Sequence, residues 1–292
     1  MSCPDCFQGS VHEDKPKGEV IKLYDLDTYV ARPASGNPPK AIIVIIPDAF
    51  GYDFVNNRIL ADHYAAKGDF LVYLPDFMLG HSAPVYMLDS LRIFLTPGFN
   101  MTKPYHLVKG LYGFMGFKRN NDFPKSGPIV RDFFSRLRAE QTSTAPPTKE
   151  GETRNLPIGA AGFCWGGKHA ILLAQEPKSE SEEALLVDAV FTGHPSALEI
   201  PGEIEHLAVP VSFAIPEKDN QVSKEKCEVI QGIVEKRNKV GGPLGEVKVY
   251  EDCAHGFCVR ADLKYKDGEI AKQADLAEDQ AIAWFERFLA TK

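Results

Sequence analysis

The chain has 292 residues, 44% of them hydrophobic, with a formal net charge of −7. That is enough apolar material for one large buried core, and with no cluster of Lys and Arg to track a phosphate backbone it excludes nucleic acid as a partner. No run of about 18 apolar residues is present, and the amino terminus lacks the basic and apolar stretches of a signal peptide, so a soluble, cytoplasmic protein without membrane contact is expected. Six dispersed cysteines are too few for a disulfide scaffold.

Taken in chain order, the first 17 residues form an arm containing Cys3 and Cys6, whose C-x-x-C spacing without a second pair is assigned a structural role, tucking the arm against the body. Two short strands follow between Gly18 and Arg32, around a turn at Asp25 to Asp27. "KAIIVII", Lys40 to Ile46, is a β-branched run of the kind buried on both faces of a sheet. A helix from Asn56 to Lys67 stops at Gly68, and "FLVYLPD" from Phe70 to Asp76 is another buried strand. Residues 79–124, rich in aromatics, Gly and Pro, are expected to form an irregular excursion that shapes a pocket. A helix resumes over Ser126 to Glu140, and a polar surface insertion runs from Gln141 to Asn155. Three further strands are expected at Asp188 to Gly193, Val209 to Ile215 and Glu246 to Glu251, with helices at Val222 to Val240 and Lys272 to Leu289. Such alternation implies an α/β fold in one domain spanning 1–292, with a mostly parallel central sheet and helices on both faces.

One turn in this pattern carries chemistry. "GFCWGG", Gly162 to Gly167, lies between an apolar strand and a helix and has the form G-x-C-x-G. That is the nucleophile elbow with sulfur in place of oxygen, and its glycines admit the sharp strand-to-helix turn that presents Cys164 at the top of a sheet. A helix amino terminus there favours the thiolate. An elbow nucleophile needs an acid after a later strand and a histidine after the last one. "PEKD" offers Glu217 and Asp219, of which Asp219 is preferred because it lies farther into the loop, and "EDCAHGF" offers His255. Oxyanion donors are expected from the backbone of Trp165 and, after the Lys40 to Ile46 strand, of Ala49 or Phe50.

Together these segments resemble the dienelactone hydrolase (carboxymethylenebutenolidase-like) family of the α/β-hydrolases. The match rests on "PDAFG" at Pro47 to Gly51, Pro75-Asp76, "GFCWGG", "PEKD" and "HGFCVR" at His255 to Arg260, and the amino-terminal "CPDCFQG" is similar to fungal members. The resemblance implies an α/β-hydrolase fold and hydrolysis of lactones or small carboxylic esters by Cys164, His255 and Asp219. It places Asp48 where bacterial members carry a glutamate that restrains the resting thiol. It also places Arg260 where an arginine binds a substrate carboxylate. A second substrate arginine has no clear counterpart, Arg92 being nearest.

The pocket is expected to draw on Phe50, Tyr52, Tyr86, Trp165 and Phe257, with His194 of "TGHPS" lining it or capping a strand end. The chemistry requires no cofactor and no metal. Two other readings stay open: a same-fold enzyme of different acyl chemistry, such as a thioesterase or a lactone-processing enzyme of natural-product metabolism, and a non-catalytic small-molecule-binding protein. A monomer or weak homodimer is expected, because no heptad or exposed apolar stripe is evident in the sequence.

Overall fold

A computed structural model describes residues 9–96, 98–143, 155–175, 185–261 and 268–289. Cys3, Cys6 and most of the polar insertion lie outside these residues. At the centre is an eight-stranded sheet in the order β1-β2-β4-β3-β5-β6-β7-β8. Its strands are β1 (Glu19–Leu23), β2 (Leu26–Ala31), β3 (Ile42–Ile46), β4 (Leu71–Pro75), β5 (Ile158–Phe163), β6 (Ala189–Gly193), β7 (Val211–Lys218) and β8 (Gly245–Ala254). From β4 to β8 every neighbouring pair is parallel, and β1 and β2 add an antiparallel edge.

Both faces are covered, as the pattern of β3 requires. Ile43 and Ile45 pack with α1 (Val55–Gly68) and α9 (Glu269–Leu289), while Ile42, Val44 and Ile46 pack with α4 (Phe123–Thr142), α5 (Trp165–Leu173) and α7 (Lys224–Lys239). A strand with two buried faces has no polar side to alternate with, which is why its sequence is uniformly apolar. Two short helices, α6 (Gly202–Glu205) and α8 (Phe257–Arg260), complete the framework.

Three local expectations need correction. The α1 helix includes Gly68, and the left-handed residue that ends it is Asp69, at φ 54°. The first hairpin turns at Tyr24 and Asp25, both with positive φ, one residue ahead of the expected position. The excursion is more regular than expected: it contains α2 (Tyr86–Leu95) and α3 (Lys103–Asn120). No described helix is long and apolar enough to cross a membrane.

The described part of the arm, residues 9–17, runs against α1 and α8. Ser10 N donates to Arg260 O at 3.1 Å, and Ser10 Oγ to Ala261 O at 2.9 Å. Asn56 of α1 ties the three pieces together, accepting from His12 N and donating to Ser10 O and Val259 O, each at 2.9 Å. Beside the arm lies a groove of about 780 Å³ lined by Asp14, Lys15, Asp62 and His63 among others. None of the residues expected to do chemistry lines it; Cys164, Asp219 and His255 follow the carboxyl ends of β5, β7 and β8 instead.

Candidate active site

In a parallel sheet the carboxyl ends of the strands converge on one edge, and the loops leaving them can assemble a site from distant sequence. β5 ends in Cys164, β7 leads directly into Asp219, and β8 leads into His255. The geometry of each follows from its turn.

Cys164 is the N-cap of α5, at φ 53° and ψ −114°. A non-glycine residue at positive φ is strained, and the surrounding contacts must hold it there. Cys164 N donates to Gly193 O at 3.2 Å, and Cys164 O accepts from Gly167 N and Ser196 N, both at 3.0 Å. Its flanking glycines are there for close approach: a Cβ on Gly166 would overlap Ile46 O of β3, and one on Gly162 would overlap Gly166 O. The first turn of α5 is thereby pressed against the end of β3 with Sγ at the helix amino terminus, a position that stabilises negative charge. Cys164 is 2% exposed.

His255 and Asp219 are both buried, with no side-chain exposure. The Nδ1 atom of His255 lies 2.9 Å and 3.1 Å from the two carboxylate oxygens of Asp219. Asp219 Oδ1 also accepts from Gln221 N at 2.8 Å, which fixes the carboxylate within its own turn. Glu217 sits elsewhere: it is exposed, and it accepts from Asp252 N at 2.8 Å. Burial pulls the His255 pKa down, but the negative charge of Cys164 and the hydrogen bond and charge of Asp219 outweigh it and raise the value to about 10. The ring is thus favoured as an imidazolium.

The loop after β3 brings Asp48 and Ala49 to the same edge. Asp48 is fully buried, and its Oδ1 accepts from Phe50 N at 3.1 Å and from Asn57 Nδ2 at 3.0 Å. Its Oδ2 accepts from Arg260 Nη1. Burial raises the Asp48 pKa; Arg260 opposes the rise and the charge of Cys164 adds to it, leaving the carboxyl above its ordinary value. Two expectations change here. The Phe50 amide is spent on Asp48, so of the two amides considered after β3 only that of Ala49 makes no hydrogen bond that we find among the described residues; the Trp165 amide likewise makes none. Arg260 is 1% exposed, lies over the Phe50 ring at 5.2 Å and is paired inside the protein, a poor placement for meeting a substrate carboxylate.

The remaining expected pocket residues come from four different segments of the chain. Phe257 is buried against Tyr250 and His194, with ring centroids at 5.0 and 6.0 Å. Tyr86 packs at α2 beneath Lys109 Nζ, 4.5 Å from its ring centre. Tyr52 lies under Arg58 and lines a surface recess with Asp27, Asp53 and Asp76. Trp165 turns its indole toward the excursion, donating to Asn121 O at 3.0 Å and stacking on Phe123.

The turn after β6 adds Ser196, which sequence reasoning missed, and places His194, which it had set in the pocket or at a strand end. Ser196 Oγ lies 3.9 Å from Cys164 Sγ, within reach of a sulfur hydrogen bond. Two residues earlier, His194 at φ 38° is fully buried, its ring 5.0 Å from that of His255 and nearly perpendicular to it. Among the described residues neither ring nitrogen of His194 has a hydrogen-bond partner. Burial, then the charges of His255 and Arg260, push its pKa far below 6.5, so the ring is neutral. β6 neighbours β5 in the sheet, so its carboxyl-terminal turn falls beside the elbow, a placement set by strand order and not by local sequence. Among the described residues no group of three or more His, Cys, Asp or Glu is placed to hold a metal ion.

A model of the dienelactone hydrolase family matches residues 26–289. The chain belongs to that family. It is a hydrolase of the carboxylic ester and lactone class. Hydrolase tropI of Talaromyces stipitatus is 29% identical over 293 residues, covering 100% of this chain and 98% of its own. Hydrolase pyvD of Aspergillus violaceofuscus is 27% identical, covering 97% and 96%, and dienlactone hydrolase 1 of Gibberella moniliformis is 26% identical, covering 88% and 84%. Among solved structures, a putative dienelactone hydrolase from Klebsiella pneumoniae superposes with a TM-score of 0.59 at 16% identity, covering 93% of this chain and 98% of its own. That likeness establishes the α/β-hydrolase architecture.

Proposed function

We propose that this hydrolase opens lactones or cleaves small carboxylic esters with Cys164 as nucleophile, His255 as acid and base, and Asp219 as the group that orients His255. One observation carries the reading: three turns from β5, β7 and β8 bring a strained, helix-capping thiol, a buried imidazole and a buried carboxylate to one edge, with the imidazole bound to the carboxylate and electrostatically coupled to the thiol. The name dienlactone hydrolase borne by a relative matched over 88% of this chain supports a lactone substrate.

The Cys164 thiolate attacks the acyl carbon, and the carbonyl electrons move onto oxygen. The Trp165 and Ala49 amides are positioned to receive that oxyanion. Collapse breaks the acyl C–O bond, and the leaving oxygen takes the proton of the His255 imidazolium, giving a thioester on Cys164. His255, now neutral, removes a proton from water as the water attacks the thioester. Collapse then releases the carboxylic acid and restores the thiolate–imidazolium pair. Asp219 holds Nδ1 throughout, so Nε2 does the proton transfer. Ser196 Oγ accepts from the thiol and donates to the thiolate, and Arg260 neutralises Asp48, whose charge would otherwise oppose that of the sulfur.

The test is steady-state hydrolysis of an enol-lactone and of p-nitrophenyl acetate by the wild type and by Cys164→Ala. Turnover of the lactone at the higher kcat/KM, abolished in the variant, is expected. Preference for a thioester over both would move the reading to thioester cleavage, and turnover unchanged in Cys164→Ala would remove the nucleophile.

A further inference from the structure

The turn after β6 is strained at two places. His194 sits at φ 38° and Ala197 at φ 58°, both non-glycine residues in the left-handed region, where the backbone stays only if surrounding contacts hold it. The first half of the turn has its own anchors: His194 N donates to Ala214 O of β7 at 2.9 Å, and its ring packs among Phe163, His255 and Phe257. The second half, which carries Ser196, is held to α5. Ser196 N donates to Cys164 O at 3.0 Å. Gly167 leaves room for this approach, since a Cβ there would overlap Thr192 Oγ1 and Pro195 Cα.

The other point of attachment is Lys168, one helical turn after Cys164 and only 6% exposed. Its Nζ donates to Ala197 O at 2.9 Å and lies 3.1 Å from Glu199 Oε1 and 2.8 Å from Glu203 Oε1. The Glu203 carboxylate in turn accepts from Glu199 N through Oε2 at 2.8 Å. Three ammonium protons thus meet three acceptors, all in the segment that follows β6. Stability alone does not call for a lysine here. A cation near a helix amino terminus opposes the macrodipole, and a buried ion pair is often no more stable than apolar side chains of the same volume. What the ammonium supplies is a second fixed point. A single hydrogen bond at Ser196 N lets the turn pivot about it, and a further bond at Ala197 O stops the pivot and fixes where Ser196 Oγ points.

We propose that Lys168 is a positioning residue for the nucleophile: it clamps the turn after β6 so that Ser196 Oγ is held 3.9 Å from Cys164 Sγ, where it stabilises the thiolate. The inference rests on the reading of Cys164 as nucleophile and of Ser196 as its hydrogen-bond partner. Glu199 and Glu203 compensate the charge of Lys168 locally, so its effect on the sulfur passes through Ser196.

Alkylation of Cys164 by iodoacetamide over a pH series, with no ester present, tests the clamp. Lys168→Met is expected to react roughly tenfold more slowly near neutral pH, with the half-maximal pH moved upward, because the thiolate loses its donor. Added to Ser196→Ala, the same substitution is expected to change the rate by less than about twofold, since both act through one hydrogen bond. Should Lys168→Met fail to fold, Lys168→Met/Glu203→Leu removes the clamp without leaving a buried carboxylate unpaired, and the same loss is expected. Wild-type reactivity in the folded Lys168 variant overturns the proposal, and so does wild-type reactivity in Ser196→Ala. A second tenfold loss on adding Lys168→Met to Ser196→Ala also overturns it, because the ammonium would then act on the sulfur by its own charge. Any of these results alongside a Cys164→Ala enzyme that no longer turns over ester would remove the clamp and leave the hydrolase reading in place.

Discussion

Arg260 and Asp48, 212 residues apart, form an ion pair in which neither side chain is exposed. Asp48 sits in the loop that supplies the Ala49 amide, and Arg260 ends the short helix that follows His255. The pair therefore joins the β3 loop to the histidine turn, and the arm closes over it through Ser10 N and Arg260 O.

Removing one partner leaves a buried, uncompensated charge. Arg260→Met is expected to lower stability by about 3–5 kcal/mol in urea unfolding, and Arg260→Met/Asp48→Leu to recover most of that loss, because two neutral side chains need no solvation. A single variant as stable as the wild type would show that the charges are screened in solution.

The arm is held by one side chain more than any other. Asn56→Leu removes three hydrogen bonds and leaves the Ser10 and Val259 carbonyls without that donor. A loss of about 2–3 kcal/mol is expected, with faster hydrogen exchange confined to residues 9–17 and α8.

Ser196 is expected to act on the sulfur alone. Ser196→Ala should lower the rate of Cys164 alkylation by iodoacetamide near neutral pH by roughly tenfold, the worth of one hydrogen bond to a charged group, and Ser196→Thr should restore it. Equal rates in all three proteins would leave Ser196 a packing residue.

The reach of sequence reasoning can be judged from these elements. The all-apolar run of β3, the glycine frame of Cys164 and the order Cys164, Asp219, His255 are local or ordinal signals, and each survives in the folded chain. Asp219 and Glu217 are two residues apart on a strand that ends between them, so they diverge in space, and only the turn decides which meets His255. Pairings such as Arg260 with Asp48, or Ser196 with Cys164, depend on strand order in the sheet, which single-sequence patterning does not encode. The α3 helix was obscured for a different reason. Gly110, Gly113 and Gly116 each cost about 1 kcal/mol of helix propensity. Contrary to the expectation that no exposed apolar stripe exists, Tyr105, Val108, Leu111, Tyr112 and Met115 face outward instead of into the core, so the pattern mimics an irregular segment.

The pH dependence follows from His255. Its pKa is raised in the folded protein to about 10. Its contribution to stability is therefore complete below the unfolded value near 6.5 and is lost as pH rises through about 10. In the proposed cycle the same proton protonates the leaving group, so kcat/KM should fall on the alkaline side near pH 10. Asp219→Asn, which removes a charge that favours the imidazolium, should bring that limb to lower pH and reduce kcat by roughly 10²–10⁴-fold. An alkaline limb that does not move in Asp219→Asn would detach Asp219 from His255.

The central claim is a covalent acyl-Cys164 intermediate, and intact-mass analysis with peptide mapping after rapid acid quench of the enzyme with p-nitrophenyl acetate tests it most directly. An added acetyl group on the peptide carrying Cys164, formed and lost at the rate of turnover and absent from Cys164→Ala held to the same time, is the expected result. Turnover without a kinetically competent adduct on Cys164, or with the acetyl group on another residue, would contradict it.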